Sequence, residues 1–181
     1  MTKKNLIVGQ SGGPTAVINS SLYGVVSEGI AHSDEIGEVY GMVNGIEGFL
    51  EDRILNFREA LPGEQLDYLK HTPGAYLGSC RYKLPESLED PVYPLLFEKF
   101  EEMNIGWFFY IGGNDSMDTV SKLSRYAAQT GSSIRVIGEL KPLTMTLYIP
   151  IILRDTEAPQ NMWHQQYARS LWMPAFMKKN P

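Results

Sequence analysis

Apolar residues along this chain fall into short continuous runs that alternate with longer stretches at helical spacing. Asn5 to Gly9 is one such run and reads as a buried strand. Gln10 to Thr15 is a glycine-rich turn. From Ala16 to Ala31 the period becomes helical, with Val17, Leu22, Val25, Val26 and Ile30 as expected core positions. Glu38 to Val43 is the expected second strand, Gly45 to Leu50 a turn or short helix, and Leu61 to Leu69 a short helix with Pro62 in its first turn. Thr72 to Pro85 is polar and carries glycines, hence loop. Val92 to Met103 spaces Leu95, Leu96 and Phe100 as a helix. Trp107 to Ile111 reads as a strand, Ser116 to Gln129 as an amphipathic helix, and Ile134 to Ile137 as a strand. No internal repeat or low-complexity tract interrupts this rhythm. Strand, glycine turn and helix in that order open βαβ units. The expected fold class is therefore α/β, a three-layer sandwich with a mostly parallel sheet.

Composition narrows the setting. The 181 residues suffice for one full-sized domain, or one domain and part of another. An apolar fraction of 43% with 11% aromatics suits a packed core. The net charge of -5 and the lack of a basic stripe argue against nucleic acid as a partner. The one cysteine, Cys80, excludes an internal disulfide and fits a reducing compartment. No apolar stretch reaches membrane-spanning length, so no membrane partner is expected. The basic start Met1 to Lys4 leads into a strand rather than a signal peptide. The expected location is cytoplasmic.

Three loops carry candidate chemistry. Ser11-Gly12-Gly13-Pro14-Thr15 follows a strand and precedes a helix, where glycines let an anion approach backbone amides and the helix dipole favours it. No Gly-Lys-Ser/Thr follows, so it is not a Walker loop. An ordinary tight βα turn explains it equally well. Gly78 to Lys83 brings two cations into a loop. Arg81 is suited to fork onto phosphate oxygens and Lys83 to act as a point charge, while the plainer reading is two solvated side chains. Cys80 between them is most simply a small buried residue. Gly112-Gly113-Asn114-Asp115-Ser116 offers an amide oxygen, a carboxylate and a hydroxyl, hard donors that suit Mg²⁺ bridged to phosphate. An Asp or Ser helix cap is the alternative. His32, His71 and His164 show no metal-ligand spacing.

These three loops, in this order and at these separations, resemble the phosphofructokinase family. Its members carry a Ser-Gly-Gly loop, matched by Ser11 to Gly13. They also carry a Gly-Ser/Thr-x-Arg loop, matched by Gly78 to Arg81, and a Gly-Gly-Asp-Gly/Asp-Ser loop, matched by Gly112 to Ser116. The resemblance runs from about Lys4 to Gly138. It implies an incomplete phosphofructokinase-like amino-terminal domain in which Gly13, Arg81, Tyr82, Gly113, Asp115 and Ser116 line the phosphoryl-donor site. It also implies transfer to the 1-hydroxyl of fructose 6-phosphate with Mg²⁺ as cofactor, in a parent enzyme that is a homo-oligomer. Asn114 stands where most members have a Mg²⁺-binding Asp, so the oxygen is kept and the charge lost. Asp115 stands where ATP-using members have Gly. A carboxylate there crowds and repels a longer polyphosphate, which points to pyrophosphate as donor with ATP as the alternative.

The resemblance fails after Gly138. The family continues with Pro-Lys/Gly-Thr-Ile-Asp-Asn-Asp, whose first Asp is the base for the sugar hydroxyl. Here Glu139 to Leu147 contains none of it, and after Glu139 no carboxylate occurs until Asp155. No catalytic residue is therefore assigned. Codon degeneracy offers a reason. Lys141 to Leu147 can be written AAA CCA TTG ACA ATG ACC TT-purine. Read one base upstream this gives Thr-Ile-Asp-Asn-Asp-Leu. Pro150 to Met162, treated the same way, can give Thr-Asp-His-Thr-Pro-Gly-Tyr-Gly-Ser-Ala-Ala-Lys-Tyr. The expectation is a donor-binding part at 1–138 and an out-of-frame tail at 139–181, the product of one lost base near the Glu139–Leu140 codons. A genuine divergent tail is the alternative. Such a tail would expose Trp163, Trp172 and Phe176 without a partner sheet. The chain would then be an inactive fragment, a phosphate- or nucleotide-binding module without catalysis, or an inert product.

Overall fold

The structure, a computed structural model, describes residues 3–15 and 17–141 and the backbone of Pro150–Ile152. In chain order the elements are β1 (Lys4–Gln10), α1 (Ile18–Ala31), β2 (Ile36–Met42), α2 (Gly45–Leu50), β3 (Ile54–Asn56), α3 (Phe57–Ala60), a 3-10 helix (Gly63–Lys70), α4 (Val92–Glu102), β4 (Ile105–Gly112), α5 (Asn114–Thr130), β5 (Arg135–Leu140) and β6 (Pro150–Ile152). One sheet holds the strands in the order β3-β2-β1-β4-β5-β6. The pairs β1–β2, β1–β4 and β4–β5 are parallel, and the outer strands β3 and β6 pair antiparallel.

Alternation along the strands makes two cores. Leu6, Val8, Val39, Phe109, Ile111 and Ile137 face one layer, formed by α1, α3 and the 3-10 helix. Ile7, Met42, Ile105, Phe108, Tyr110 and Val136 face the other, formed by α2, α4 and α5. Period-two placement on central strands buried on both faces explains their near-continuous apolar runs. The second core is aromatic. Phe100 stacks on Phe49 at 5.0 Å, and its ring lies 5.4 Å from Phe108. Burying each such side chain contributes about 1.5–3 kcal/mol against the entropy of ordering it.

Several expectations shift. Helix α1 begins at Ile18, not at Ala16, which itself lies outside the described residues. Val17 is its N-cap and 37% exposed, while the buried stripe is Ile18, Leu22, Val25 and Val26. Leu95 is likewise outside the core, at 44% exposure. On α4 the stripe is Tyr93, Leu96, Phe97 and Phe100, spaced at i, i+3, i+4 and i+7, and Leu95 falls on the opposite side. The expected helix at Leu61 to Leu69 is a 3-10 segment with Pro62 as its N-cap. Strand β3 has three half-buried residues, too few for alternation to be read, and it escaped sequence reading together with α3. Strand β5 runs past Gly138: Glu139 pairs with Ile111 and Leu140 with Gly112.

Candidate functional site

Strand β1 leads to α1 on one face of the sheet and β4 leads to α5 on the other, yet β1 and β4 are neighbours. A crevice opens where adjacent parallel strands send their connections to opposite faces, and ligands of open α/β sheets bind there. Register carries Gly9 against Tyr110 and Gln10 against Ile111, so the two glycine turns emerge side by side. The Ser11 amide donates to Ile111 O at 2.9 Å, joining them at the root.

The second turn opens a helix directly. Gly113 is the N-cap of α5, without a side-chain cap, and Asn114 and Asp115 occupy the first turn. The Asp or Ser cap expected as the plainer alternative is therefore not formed. The first amides of an α-helix have no intrahelical acceptor, and the dipole places partial positive charge there. Ser116 is buried, whereas Asn114 and Asp115 are exposed. The first turn is different. Gly12 has φ +79°, a left-handed value that favours glycine. Five residues separate Gly12 from the first residue of α1. The Gly12 amide donates to Cys80 O at 3.4 Å, and the Ser79 hydroxyl donates to Gly12 O. The Thr15 hydroxyl is buried and has no hydrogen-bond partner among the described residues.

The third loop, 71–91, arches over both turns. Leu77 donates its amide to Gln10 Oε1 at 3.0 Å, and Tyr76 donates to Asn19 Oδ1 at 2.9 Å. Gln10 and Asn19 are fully buried and joined at 3.0 Å. Cys80 is buried as expected, 3.6 Å from the Tyr110 hydroxyl. Burial, with Cys80 beside it, pushes the Tyr110 phenol well above its ordinary range. Arg81 and Lys83 are exposed and Tyr82 half-buried. Lys83 Nζ lies 3.7 Å from Asp115 Oδ1, an exposed pair that contributes about 0–1 kcal/mol.

The structure therefore brings Gly13, the 78–83 loop and Gly113 to Ser116 to one end of the sheet, and it adds groups that sequence reading missed. Lys141 follows β5. Its amide donates to Gly112 O at 2.8 Å and its ammonium to Gly13 O at 2.6 Å, so it bridges both glycine turns. Gln10 and Asn19 could have been found as amides at apolar positions of a strand and a helix. Nothing in the sequence signalled Lys141. A second concavity, about 700 Å³, lies at the opposite end of the sheet, among Lys4, Asn104, Thr130 and Ile134. Helix carboxyl ends meet there, which disfavours anions. Among the described residues no cluster of three His, Cys, Asp or Glu is arranged to hold a metal, and no helix is long and apolar enough to cross a membrane. His164, Trp163, Trp172, Phe176 and Asp155 lie outside the described residues.

A mostly parallel α/β sheet with glycine turns meeting at its switch point defines the class of open-sheet proteins that bind ligands at such a crevice. A family model described as phosphofructokinase matches residues 5–152. A pyrophosphate–fructose 6-phosphate 1-phosphotransferase of Methylococcus capsulatus is 42% identical over 139 residues, 76% of this chain and 33% of that protein. A solved pyrophosphate-dependent phosphofructokinase from Nitrosospira multiformis is 38% identical with a TM-score of 0.69, over 76% of this chain and 33% of that one. Another, from Marinobacter aquaeolei, is 43% identical with a TM-score of 0.66, over 75% and 32%. The chain belongs to the phosphofructokinase family. It spans about a third of the length of the curated relatives it matches.

Proposed function

We propose that this chain carries the phosphoryl-donor half of a site for phosphorylating the 1-hydroxyl of fructose 6-phosphate, with pyrophosphate as donor. The observation that carries this reading is the meeting of three loops at one crevice, where the Ser11 amide bonds Ile111 O, the Gly12 amide bonds Cys80 O and Lys83 faces Asp115. Gly13, Gly113 and the first turn of α5 would receive the donor's oxygens, with Arg81, Tyr82 and Ser116 at its margin. Asp115 supports pyrophosphate over ATP. An exposed carboxylate at the mouth, balanced by Lys83, tolerates a compact donor and repels a third phosphate. The names of the relatives point the same way.

Mg²⁺ fits the donor set. Asn114 supplies an amide oxygen beside the Asp115 carboxylate, and this ion is commonly held by one or two protein oxygens together with phosphate and water. When bound, it would neutralise charge on the donor. This chain's own residues would orient the donor through N–H groups and cations.

No base for the sugar hydroxyl is assigned among these residues. With Leu140 to Arg154 free of carboxylates in the sequence, the chain is expected to bind donor without turning it over. We attribute this to the lost base near the Glu139–Leu140 codons, so that 139–181 is an out-of-frame tail. The single cysteine supports a reducing, cytoplasmic setting.

Calorimetry tests the reading. Mg²⁺-pyrophosphate should bind, Mg²⁺-ATP should bind more weakly, and no fructose 1,6-bisphosphate should form. A product with the base restored should gain activity. Absence of binding by either donor defeats the site. Preference for ATP defeats the reading of Asp115. An intact gene frame, with 139–181 found in the protein by mass spectrometry and no lost base in related genes, defeats the explanation of the tail.

A further inference from the structure

Lys122 is, among the described residues, a buried cation that the proposed site does not use. It lies on α5 two turns beyond Asp115 and is only 2% exposed. Its ammonium meets Asp118 Oδ2 at 2.7 Å on its own helix. It also reaches across to the 71–91 loop, to Glu86 Oε1 at 2.6 Å and Leu84 O at 3.1 Å. Ion pairing with Asp118 and Glu86 raises its pKa above the ordinary lysine value, so it stays charged at every physiological pH. A lysine is rarely buried unless such partners hold it, because desolvating an unpaired ammonium costs several kcal/mol.

The place of this contact gives it a consequence. Glu86 and Leu84 follow directly on Arg81, Tyr82 and Lys83. Tyr93 adds its hydroxyl on Pro85 O at 2.5 Å. At the other end of the arch, Gln10 and Asn19 hold Leu77 and Tyr76. The segment Gly78 to Lys83 is therefore tied at both ends, to β1 and α1 before the cations and to α5 after them. The same helix that presents Asn114 and Asp115 fixes the far foot of the arch that presents Arg81 and Lys83.

We propose that Lys122 is a positioning residue that sets the 78–83 arch against the amino end of α5, so that the donor-binding cations stand preformed before a ligand arrives. It acts through Leu84 and Glu86 and touches no ligand. The inference rests on the donor-site reading only for what the arch binds. That the arch is anchored by Lys122 can be judged without any ligand.

The test is hydrogen exchange on the full 181-residue chain without ligand, paired with calorimetry using Mg²⁺-pyrophosphate. In Lys122→Met, amides 79–86 should exchange about tenfold faster while β1 and β4 keep their protection. Lys122→Arg, which keeps the charge and several donors, should restore most of that protection. Glu86→Ala removes an exposed side chain from the loop side alone and should raise exchange at the same amides about threefold. It carries the test if Lys122→Met does not fold. Pyrophosphate affinity should fall about tenfold in Lys122→Met and recover in Lys122→Arg. Unchanged exchange at 79–86 in a folded Lys122→Met overturns the proposal. So does a uniform rise in exchange that Arg does not rescue, since it would mean that Lys122 only stabilises the fold. If Lys122→Met is unfolded, unchanged exchange in Glu86→Ala overturns it. If the unaltered chain binds no pyrophosphate, the donor-site reading is lost, and the exchange pattern alone decides the anchoring.

Discussion

Two glycine turns stand side by side at the end of this sheet, and their sequences look alike, yet they are built differently. The turn at Gly112 and Gly113 runs straight into α5, with Gly113 as N-cap. Its amides and helix dipole therefore point where an anion would sit. The turn at Gly12 and Gly13 is separated from α1, whose N-cap Val17 supplies no side-chain bond. Its shape comes from outside, from Cys80, Ser79 and Lys141. One turn is a helix terminus, and the other is a strap held by its neighbours. A Ser-Gly-Gly motif before a helical pattern does not by itself distinguish these cases.

Substitutions at the two turns should separate them. Gly112→Ala should have the largest effect. A Cβ there would lie 1.9 Å from Ser116 Oγ and 2.9 Å from the backbone oxygen of Ser11, which cannot swing away. A loss of about 3 kcal/mol or more is expected in urea denaturation. Gln10→Leu comes next. It leaves the Leu77 amide unpartnered and takes a buried donor from Asn19, at a cost of about 2–3 kcal/mol by the same measurement. Gly12→Ala should cost about 1–2 kcal/mol, from its positive φ rather than from crowding, since the nearest atom would be Lys141 Nζ at 3.6 Å. Gly13→Ala has ordinary contact only, with Lys141 Nζ at 3.7 Å, and should fall within about 0.5 kcal/mol of the unaltered chain. Equal effects of Gly112→Ala and Gly13→Ala would erase the distinction between the turns.

The smallest effect concerns pH. Tyr110 precedes the second turn and touches Cys80 beneath the first. Its phenol is neutral in the folded and unfolded chain below the ordinary value of 10.0, and burial raises the folded pKa. Above pH 10 the unfolded chain releases the proton first, so stability falls as pH rises. Tyr110→Phe should flatten that decline, measured as the difference in denaturation midpoint between about pH 8 and pH 11. An unchanged decline would mean that other groups control it. Lys122, whose folded pKa is also raised, contributes in the same direction above its ordinary 10.5.

Much of the fold was legible where a pattern was long enough to repeat. The runs in β1 and β4 and the stripe of α5 were read to within about two residues at each end. Misreadings fall where local rules compete. Val17 is apolar but caps α1, and Leu95 is apolar but lies opposite the buried stripe of α4, which only packing reveals. Strand β3 is formed by its partner β2 rather than by its own three residues. In the site, glycines and hydroxyls announced themselves. Gln10, Asn19, Lys122 and Lys141 did not, because each works through an element distant in sequence: Leu77, Tyr76, Glu86 and Gly13 respectively.

The turns are local, since glycines at Gly12 and Gly112 and a helical pattern after each are properties of adjacent residues. The amino-acid order likewise settles which groups are on offer: amides, Arg81, Lys83, Asn114 and Asp115. Their gathering at one end of the sheet is a property of the folded chain. That follows from the parallel pairing of β1 with β4, strands far apart in the chain and set side by side by burial of both faces of the sheet. Local propensity has no reach over such a separation, whereas a sheet order that reverses direction at β1 and β4 leaves a crevice whatever the loops contain.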